Sequence, residues 1–278
     1  MELQIVTDIP RKPPFVKNIK NRWIDLKIRK FQPKVRFEIP FNKYLIKTVD
    51  SPFELREVLK LRKYVFFEDG IAHDNFELYD FDKYDLLGDH VVIKNQESGK
   101  IVGTYRIMCT HFTDDFYSEN EFTIQNFLNK PGVKIELGRA CIEPEHRNGA
   151  TIALIWKGLA RFAILVGARY MFGCASLSTI NSYLAHEIMR ELDRQGHTDH
   201  SYDIYVRPEF SAGQIYYNSG LLTQDNIESS IPPLLRSYIS AGAKVLGGPA
   251  FDDQFQCSDV FTVIDLANMN EKYRRRYF

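Results

Sequence analysis

The sequence is poor in cysteine and lacks the paired spacings that mark a disulfide framework or a zinc site. Its four cysteines, Cys109, Cys141, Cys174 and Cys257, stand far apart among 278 residues, and no C-x-x-C occurs. Such cysteines are typical of reduced thiols in a cytosolic protein. The sequence also lacks an apolar run of the roughly 18 residues that span a bilayer, and the apolar segment of a signal peptide. We therefore expect a cytoplasmic protein.

Several signatures of catalysis are absent as well. The seven histidines are dispersed, and neither H-E-x-x-H nor a Cys/His cluster occurs, so we expect no metal ion. No G-x-S-x-G sequence offers a nucleophile elbow, which excludes that class of serine hydrolase. No histidine has an aspartate after four intervening residues, so the H-x4-D pair of the glycerolipid acyltransferases is missing. The chain therefore lacks the pair of residues with which those enzymes form an ester.

Net charge is absent too, because 36 basic residues balance 36 acidic ones. A chain without net charge has no global field to attract nucleic acid, and we expect no such partner. The balance is uneven, however: residues 11–36 contain ten Lys or Arg and a single acid, Asp25. Charge asymmetry confined to one terminus indicates a binding arm.

The basic segment also has an amphipathic pattern. A helix over residues 15–31 would have an apolar face made of Phe15, Ile19, Trp23 and Leu26. A basic helix with such a face is suited to the surface of an anionic membrane. We interpret residues 1–43 as an arm that holds the protein on the cytoplasmic face of the inner membrane. The alternative is an arm that packs on its own domain.

The pattern beyond the arm predicts one α/β domain with a mixed sheet over residues 44–266, followed by a basic tail at 267–278. Strands are expected at 44–49, 90–94, 100–109, 169–175 and 261–266. Helices are expected at 51–67, 152–166, 179–194 and 231–241. Ser51 and Pro52 supply an N-cap and a first-turn proline for the first of these helices. Its predicted core residues are Phe53, Leu55, Val58, Leu59, Leu61 and Val65.

Residues 134–175 read as strand, charged turn, helix and strand. An apolar strand rarely carries opposite charges three residues apart unless a site needs them, yet Glu136 and Arg139 lie in this one. Three more charged clusters precede it, at residues 62–68, 80–85 and 103–106. One such cluster alone is typical of an arginine stacked on aromatic rings at the surface, of a solvated acidic loop, or of a buried network of ion pairs with a structural role. Four in this order are much more specific to a functional site.

The four motifs together, R-x-x-V-F, D-x-D-x-x-D, G-T-x-R and E-x-x-R, resemble those of the acyl-homoserine-lactone synthases of the GNAT superfamily. The chain is more similar still to the ornithine lipid N-acyltransferases, a family also labelled hemolysins. The similar segments are ELGRACI from Glu136, WKGLAR from Trp156, FGCAS from Phe172, PPLLR from Pro232, AGAKV from Ala241 and GPAFD from Gly248. The resemblance covers about residues 44–266 and implies a GNAT-like acyltransferase fold.

The resemblance also implies a reaction, in which acyl carrier protein gives a 3-hydroxyacyl or acyl chain to the α-amine of an amino acid. The product would be a lyso-aminolipid, and the acceptor ornithine, or else glycine or lysine. Such a reaction needs a base for the amine's proton. Our catalytic candidates are Glu136 as the base, Glu68 as the second choice for it, and Arg139. Expected to bind substrate or lock the site by ion pairs are Arg62, Asp82, Asp85, Arg106 and His90. An acid such as Asp80 or Asp85 near the acceptor would favour a dibasic amino acid.

The donor is expected at the start of the helix after Glu136, where free backbone N–H groups can meet an anion. The donor-binding candidates are Arg147, Asn148, Gly149 and Ala150. In the GNAT motif [QR]-x-x-G-x-[GA] the last small residue falls at Ile152, which argues against tight coenzyme A binding. Ile152 suits the phosphopantetheine arm of acyl carrier protein, and we expect no tightly bound cofactor. Lys134, Arg147 and Lys157 are candidates for a basic patch that attracts the acidic carrier.

Two other functions remain open at this point. One is the synthesis of a soluble N-acyl amino acid or acyl-homoserine-lactone signal. The other is a non-catalytic module that binds a membrane or a carrier protein on the same scaffold, because a fold does not guarantee activity. A protein of this fold that had lost catalytic activity should lack at least one of Arg106, Glu136 and Arg139. All three are present, which favours an enzyme.

Overall fold

The computed structural model describes residues 14–68, 78–211 and 224–278, and the side chains of residues 20–67, 78–211 and 227–278. Its helices are α1 (Pro14–Ile28), α2 (Pro52–Lys63), α3 (Gln125–Leu128), α4 (Gly149–Val166), α5 (Ser182–Arg194), α6 (Gln224–Ser229), α7 (Pro233–Ala241) and α8 (Glu271–Tyr277). Its strands are β1 (Glu38–Phe41), β2 (Tyr44–Thr48), β3 (Asp89–Asn95), β4 (Ile101–Cys109), β5 (Phe122–Thr123), β6 (Val133–Ile142), β7 (Ala168–Leu177), β8 (Tyr205–Val206), β9 (Lys244–Asp252) and β10 (Cys257–Asp265). A π-helical turn (Tyr64–Glu68) continues α2, and 3₁₀ turns lie at Lys83–Asp85, Tyr117–Asn120, Pro144–His146 and Pro208–Phe210.

An eight-stranded sheet in the order β1-β2-β3-β4-β6-β7-β10-β9 forms the middle of the fold, and β5 pairs separately with β8. Neighbouring strands of the large sheet are antiparallel except β6 and β7, which are parallel. A parallel pair needs a crossover connection, and α4 provides it. The predicted α/β class with a mixed sheet is confirmed.

Helices cover both faces of the sheet. Neighbouring residues of a strand point to opposite sides, and in β3 the residues on both sides are apolar. Val91 of β3 faces α4, where a Cβ on Gly158 would lie 2.6 Å from its Cγ1, so only glycine lets the helix sit this close. Val92 faces the other way and packs with Ile24 of α1 and with Leu55 of α2. α4 is the one described helix long and apolar enough to cross a membrane, but 56% of it is buried, as in a core helix.

The start of α2 is as predicted. Ser51 caps the helix by accepting the N–H of Glu54, and proline occupies the first turn. One predicted core residue is wrong, since Phe53 is 66% exposed while Leu55, Val58 and Leu59 are fully buried. The helix turns its buried face toward β3 and α1, and Phe53 lies on the opposite side.

The predicted arm contributes to the packed domain. Ile24 and Ile28 of α1 are fully buried, and Asp25 pairs with Arg56 of α2 at 2.8 Å. On the outer side Trp23 and Leu26 are 49% and 59% exposed. The side chains of Phe15 and Ile19 lie outside the described residues.

Both predicted domain boundaries fall inside continuous structure. The one between residues 43 and 44 lies in the turn that joins β1 and β2 of the same sheet. The one at residue 267 separates β10 from α8, whose Tyr273 and Tyr277 pack on Trp156 of α4 with ring centroids at 5.4 and 5.8 Å.

Candidate active site

The two parallel strands separate halfway along their length. β6 and β7 pair from Val133–Ala168 to Glu136–Phe172, although β6 continues to Ile142 and β7 to Leu177. We call the gap between residues 137–142 and 173–177 the wedge. At its apex the strands touch, since a Cβ on Gly173 would lie 2.2 Å from the carbonyl oxygen of Leu137. Glycine is therefore required at the point where the strands diverge.

Two cavities adjoin at the wedge. The first, of about 400 Å³, has both charged and aromatic residues in its wall. These include Arg106, Tyr117, Glu136, Arg139, Phe255 and Asp259. The second, of about 390 Å³, lies at the start of α4 and is mostly apolar. Tyr105, Ala140, Pro232 and Leu234 line both cavities, so a molecule in one can meet a molecule in the other.

Behind the first cavity lies a cluster of three arginines and three aspartates, the arginine–aspartate cluster. Its members are Arg62, Arg106, Arg139, Asp80, Asp82 and Asp85. Arg62 is fully buried and donates from Nε to Asp80 at 2.7 Å and from Nη1 to Asp85 at 2.6 Å. It is not in the cavity wall, and Asp80 and Asp85 are held by its guanidinium. These three residues lie behind the cavity wall and hold the site together by ion pairs, which is one of the two roles expected of Arg62 and Asp85.

Arg106 and Arg139 join this cluster to the cavity. Arg106 donates from Nη1 to Asp82 at 2.6 Å and to Asp85 at 3.0 Å. Arg139 donates from Nη2 to Asp82 at 3.3 Å. Burial alone would raise the pKa of Asp82, but the charges of Arg106 and Arg139 outweigh it and hold that pKa well below its usual range. Asp82 therefore stays charged at neutral pH.

A bulge in β6 aims Arg139 at the cavity. Thr104 pairs with Cys141 and Arg106 with Gly138, so Arg139 and Ala140 together lie opposite Tyr105 alone. Arg139 has a φ of 51°, a left-handed conformation that non-glycine residues seldom adopt. Such strain is typical of functional sites. The guanidinium carbon lies 5.0 and 4.9 Å from the ring centroids of Tyr117 and Phe255.

Glu136 lies in the wall of the same cavity and is 3% exposed. Its Oε1 accepts the backbone N–H of Ser118 at 2.7 Å, and its Oε2 accepts that of Tyr117 at 2.9 Å. Burial raises the pKa of Glu136 although these hydrogen bonds oppose the shift. The carboxylate thus anchors the turn at Tyr117 and binds a proton more readily than an exposed glutamate. The side chain of Glu68, the second candidate for the base, lies outside the described residues.

His90 lies in the core rather than in either cavity wall. The ring is fully buried, with Nε2 at 3.0 Å from the carbonyl oxygen of Asp85 and an edge contact to Phe31. Burial lowers the pKa of His90 to about 4, so the ring is neutral at pH 7. This geometry favours a structural role over the expected contact with substrate.

Three of the four donor-binding candidates lie in the wall of the second cavity. Asn148 caps α4 by accepting the N–H of Thr151 at 3.0 Å, and Gly149 begins the helix. The exposed Arg147 donates from Nε to the carbonyl oxygen of Ile142 at 3.1 Å. Ala150 is not in this wall, whereas Ile152 is.

The expected basic patch is smaller than predicted. Lys134 is 2% exposed and donates to backbone carbonyls of residues 130 and 132, so it cannot meet a partner. The ammonium of Lys157 lies 4.0 Å from the ring centroid of Phe41. Arg147 is the one of the three that is exposed beside the second cavity.

The structure also brings together three acidic residues that the sequence did not mark as a site. Glu121, Asp252 and Asp259 are buried, and their carboxylate oxygens lie within 4.8 Å of one another. Asp252 and Asp259 lie on the neighbouring strands β9 and β10, whereas Glu121 comes from a loop more than 120 residues earlier, and no shared motif contains them. We call them the acidic trio.

Known proteins resemble this chain in sequence. Residues 61–157 match the family described as the acetyltransferase (GNAT) domain. An L-ornithine N(alpha)-acyltransferase of Rhizobium meliloti (strain 1021) is 30% identical over 213 residues, which cover 71% of this chain and 70% of that protein. The chain belongs to the L-ornithine N(alpha)-acyltransferase family. A family member from Brucella abortus (strain 2308) is 28% identical over 252 residues, 84% of this chain and 88% of that protein.

Among solved structures, the AHL synthase LasI superposes with a TM-score of 0.47 at 15% identity, covering 88% of this chain and 96% of that one. FeeM, an N-acyl amino acid synthase from uncultured soil microbes, gives a TM-score of 0.47 at 8% identity, with 84% and 96% covered. Membership in the L-ornithine N(alpha)-acyltransferase family confirms the predicted family, and with the GNAT match it confirms the GNAT-like fold. The chain is therefore an acyltransferase by family.

Proposed function

We propose that the protein transfers a 3-hydroxyacyl or acyl chain from acyl carrier protein to the α-amine of ornithine, giving a lyso-aminolipid. The observation that carries the proposal is the pair of adjoining cavities at the wedge. One is charged and fits a small amino acid, and the other is apolar and opens at the start of α4. A thioester and an amine held on either side of Tyr105 and Ala140 are brought into reacting distance.

In this proposal Arg139 holds the α-carboxylate of the acceptor, because a guanidinium matches a carboxylate with two parallel hydrogen bonds. The α-amine attacks the thioester carbonyl carbon, and the new C–N bond forms as the carbonyl oxygen takes up negative charge. Backbone N–H groups of β6 beyond Glu136, which have no partner in β7, are placed to stabilise this oxyanion. Glu136 takes the amine's proton, directly or through a water, and the C–S bond breaks to release the carrier's thiol.

Acyl carrier protein is the proposed donor because Ile152 stands in the wall of the second cavity, where the GNAT motif has a small residue that lets coenzyme A approach. The phosphopantetheine arm of the carrier has a single phosphate. This phosphate would meet the N-terminal N–H groups of α4 and the guanidinium of Arg147. No tightly bound cofactor is part of this proposal. We also propose that the protein works on the cytoplasmic face of an anionic membrane, where the exposed Trp23 and Leu26 contact the headgroup region.

The test is a mass-spectrometric survey of lipids from bacteria that express the chain or its Glu136→Gln variant. Glutamine keeps the size of the side chain but cannot accept both backbone N–H groups or take a proton. We expect a new N-acylornithine in the cell lipids with the wild type and its loss, by at least tenfold, in the variant. Glu97→Gln, in an exposed turn, is the matched control and should leave the product unchanged.

Other products would change the conclusion. An acylated amino acid found in the medium rather than in the lipids would favour a signal synthase. The absence of any product, both in cells and with purified 3-hydroxyacyl carrier protein and a panel of amino acids, would refute the enzyme proposal in favour of a binding module.

A further inference from the structure

The acidic trio is an unusual set of groups to find inside a protein. Glu121 is 1% exposed, Asp259 5% and Asp252 8%. No Lys, Arg or His in the described part of the chain forms an ion pair with any of them. The nearby arginine–aspartate cluster does not balance them, because its three arginines are matched by its own three aspartates. The trio is thus a set of three buried carboxyl groups that no described cation pairs with.

Glu121 is the member that points to a missing ligand. Both of its carboxylate oxygens are buried and neither accepts a hydrogen bond of good geometry, although the side chains of Tyr117 and Asp259 lie close enough to interact with it. Asp252, by contrast, accepts the backbone N–H groups of Gln254 and Phe255 at 2.8 and 3.0 Å. A buried carboxyl group without a partner costs free energy, so such groups are rare unless a ligand satisfies them. Burial, with the charge of Asp259 adding to it, raises the pKa of Glu121 to about 9.

The trio is connected to the proposed acceptor cavity. Asp259 lies in the wall of that cavity, as does Arg139, and the charge of Arg139 acts on Asp259. The wall between them contains the rings of Tyr117 and Phe255. The cavity wall therefore contains a cationic group, apolar rings and the carboxyl group of Asp259, and the carboxyl groups of Glu121 and Asp252 lie within 4.8 Å of that of Asp259. A dibasic amino acid has the matching groups in the same order: a carboxylate for the guanidinium, a methylene chain for the rings and an ammonium for the carboxyl groups.

We infer that the acidic trio binds the side-chain ammonium of a dibasic acceptor while Arg139 binds its α-carboxylate. The inference rests on the proposed function and deepens it, because it names the residues that would select ornithine over glycine. It also explains which amine reacts. An ammonium held by carboxylates keeps its proton and is not nucleophilic, so the acyl chain goes to the α-amine beside Glu136.

An organic ammonium fits this site better than a divalent metal ion. Three carboxylate groups are suitable ligands for such an ion. The cavity, however, also contains the guanidinium of Arg139, whose repulsion is twice as large for a doubly charged ion as for an ammonium. The apolar rings beside the trio would contact the methylene groups of an amino acid, whereas they offer no ligand atom to a metal ion.

Isothermal titration of the protein with L-ornithine and with L-norvaline, without any acyl donor, tests the inference. Norvaline has the same carbon chain but no terminal amine. We expect the wild type to bind ornithine roughly 10- to 100-fold more tightly than norvaline. Glu121→Gln and Asp259→Asn should each remove most of this preference by weakening ornithine alone. Asp253→Asn, an exposed acid beside Asp252, is the matched control and should bind both ligands as the wild type does.

Folding is checked in the same samples. Glu121→Gln removes a buried carboxyl group without a partner, so we expect it to unfold at the same temperature as the wild type or a higher one. Unchanged ornithine affinity in both variants would overturn the inference. So would tight binding of Mn²⁺ to the wild type that ornithine does not displace.

The titration separates this inference from the proposed function. If ornithine binding depends on Glu121 but no carrier-protein substrate yields a product, the proposed reaction fails and the acceptor site remains. If acyl transfer occurs while the Glu121→Gln variant keeps its preference for ornithine, only the inference fails.

Discussion

At the scale of single residues, the charged groups of the site divide into those in the wall of the first cavity, such as Glu136 and Arg139, and those buried behind it, such as Arg62. Arg62, Arg106, Glu136 and Arg139 could be recognised because opposite charges at fixed spacing in apolar elements are rare. How deeply each side chain is buried could not be predicted from the sequence, since burial depends on how α2 and β4 pack against β6. Arg62 is fully buried, whereas Arg139 reaches the cavity through a bulge that no sequence pattern announces.

The acidic trio shows the same limit more clearly. Asp259 lies between Ser258 and Val260 in β10, where residues 257–264 are all buried, and no local pattern sets it apart from them. Glu121 lies after a short 3₁₀ turn without a motif. Only the packing of the turn at Tyr117–Asn120 against β9 and β10 brings the three carboxylates together. Long-range convergence of this kind has no local signal.

The arginine–aspartate cluster gives a prediction about stability. Arg62→Ala leaves Asp80 and Asp85 buried with their principal partner removed, and we expect the free energy of unfolding to fall by about 3–5 kcal/mol. Urea denaturation followed by circular dichroism measures this change. Lys60→Ala, which breaks an exposed ion pair with Glu57, should cost less than about 1 kcal/mol. A comparable loss in the two variants would mean that Arg62 contributes no more than a surface charge.

At the scale of elements, most helices and strands of the central unit could be predicted from periodicity. The strand at Val133–Ile142, α4 and the strand at Ala168–Leu177 all lie where the pattern placed them. β1 and β9 were not predicted. β1 is a four-residue edge strand with proline in it, and β9 contains two glycines and a proline, so neither has the composition typical of a strand. The position of the wedge was not predicted, because it is defined by strand pairs that do not form.

Gly173 tests whether the wedge depends on close contact at its apex. Gly173→Ala would place a methyl group against the carbonyl oxygen of Leu137. We expect the strands to shift, the free energy of unfolding to fall by about 1–3 kcal/mol, and acyl transfer to decrease more than stability does. Thermal denaturation and a product assay at a temperature where both proteins are folded measure the two effects.

Gly103→Ala is the control, because the nearest atoms to its Cβ lie at 3.5 and 3.6 Å, an ordinary contact distance. This variant should change stability by no more than about 0.5 kcal/mol. If Gly173→Ala behaves in the same way, the apex tolerates a side chain and the wedge has another cause.

At the scale of the whole molecule, charge is distributed unevenly around a neutral protein. The outer side of α1 presents Trp23, Leu26 and exposed basic residues, while Ile24 and Ile28 hold the helix on the domain. A membrane contact through this face would therefore orient the entire domain and not only a flexible arm. The sequence predicted the amphipathic helix but could not tell which apolar residues face inward.

Vesicle binding tests this orientation. We expect the protein to sediment with vesicles that contain anionic lipid and less with neutral vesicles, and expect salt to weaken the binding. The double variant Trp23→Ser and Leu26→Ser should lower the bound fraction several-fold without a change in melting temperature. Phe53→Ser, an exposed apolar residue on α2, is the control. Equal binding by the double variant would show that α1 does not form the membrane surface.

The chain contains two tryptophans, and their surroundings differ sharply. Trp156 is 2% exposed, lies in the wall of the second cavity and donates to Ser237 at 2.9 Å, whereas Trp23 is half exposed on α1. An indole in apolar surroundings emits at shorter wavelength than one in water. The protein therefore carries two intrinsic fluorophores, one beside the proposed donor and one on the proposed membrane face. In a Trp23→Phe variant the remaining emission would report on the donor cavity alone, and in a Trp156→Phe variant on the lipid contact alone.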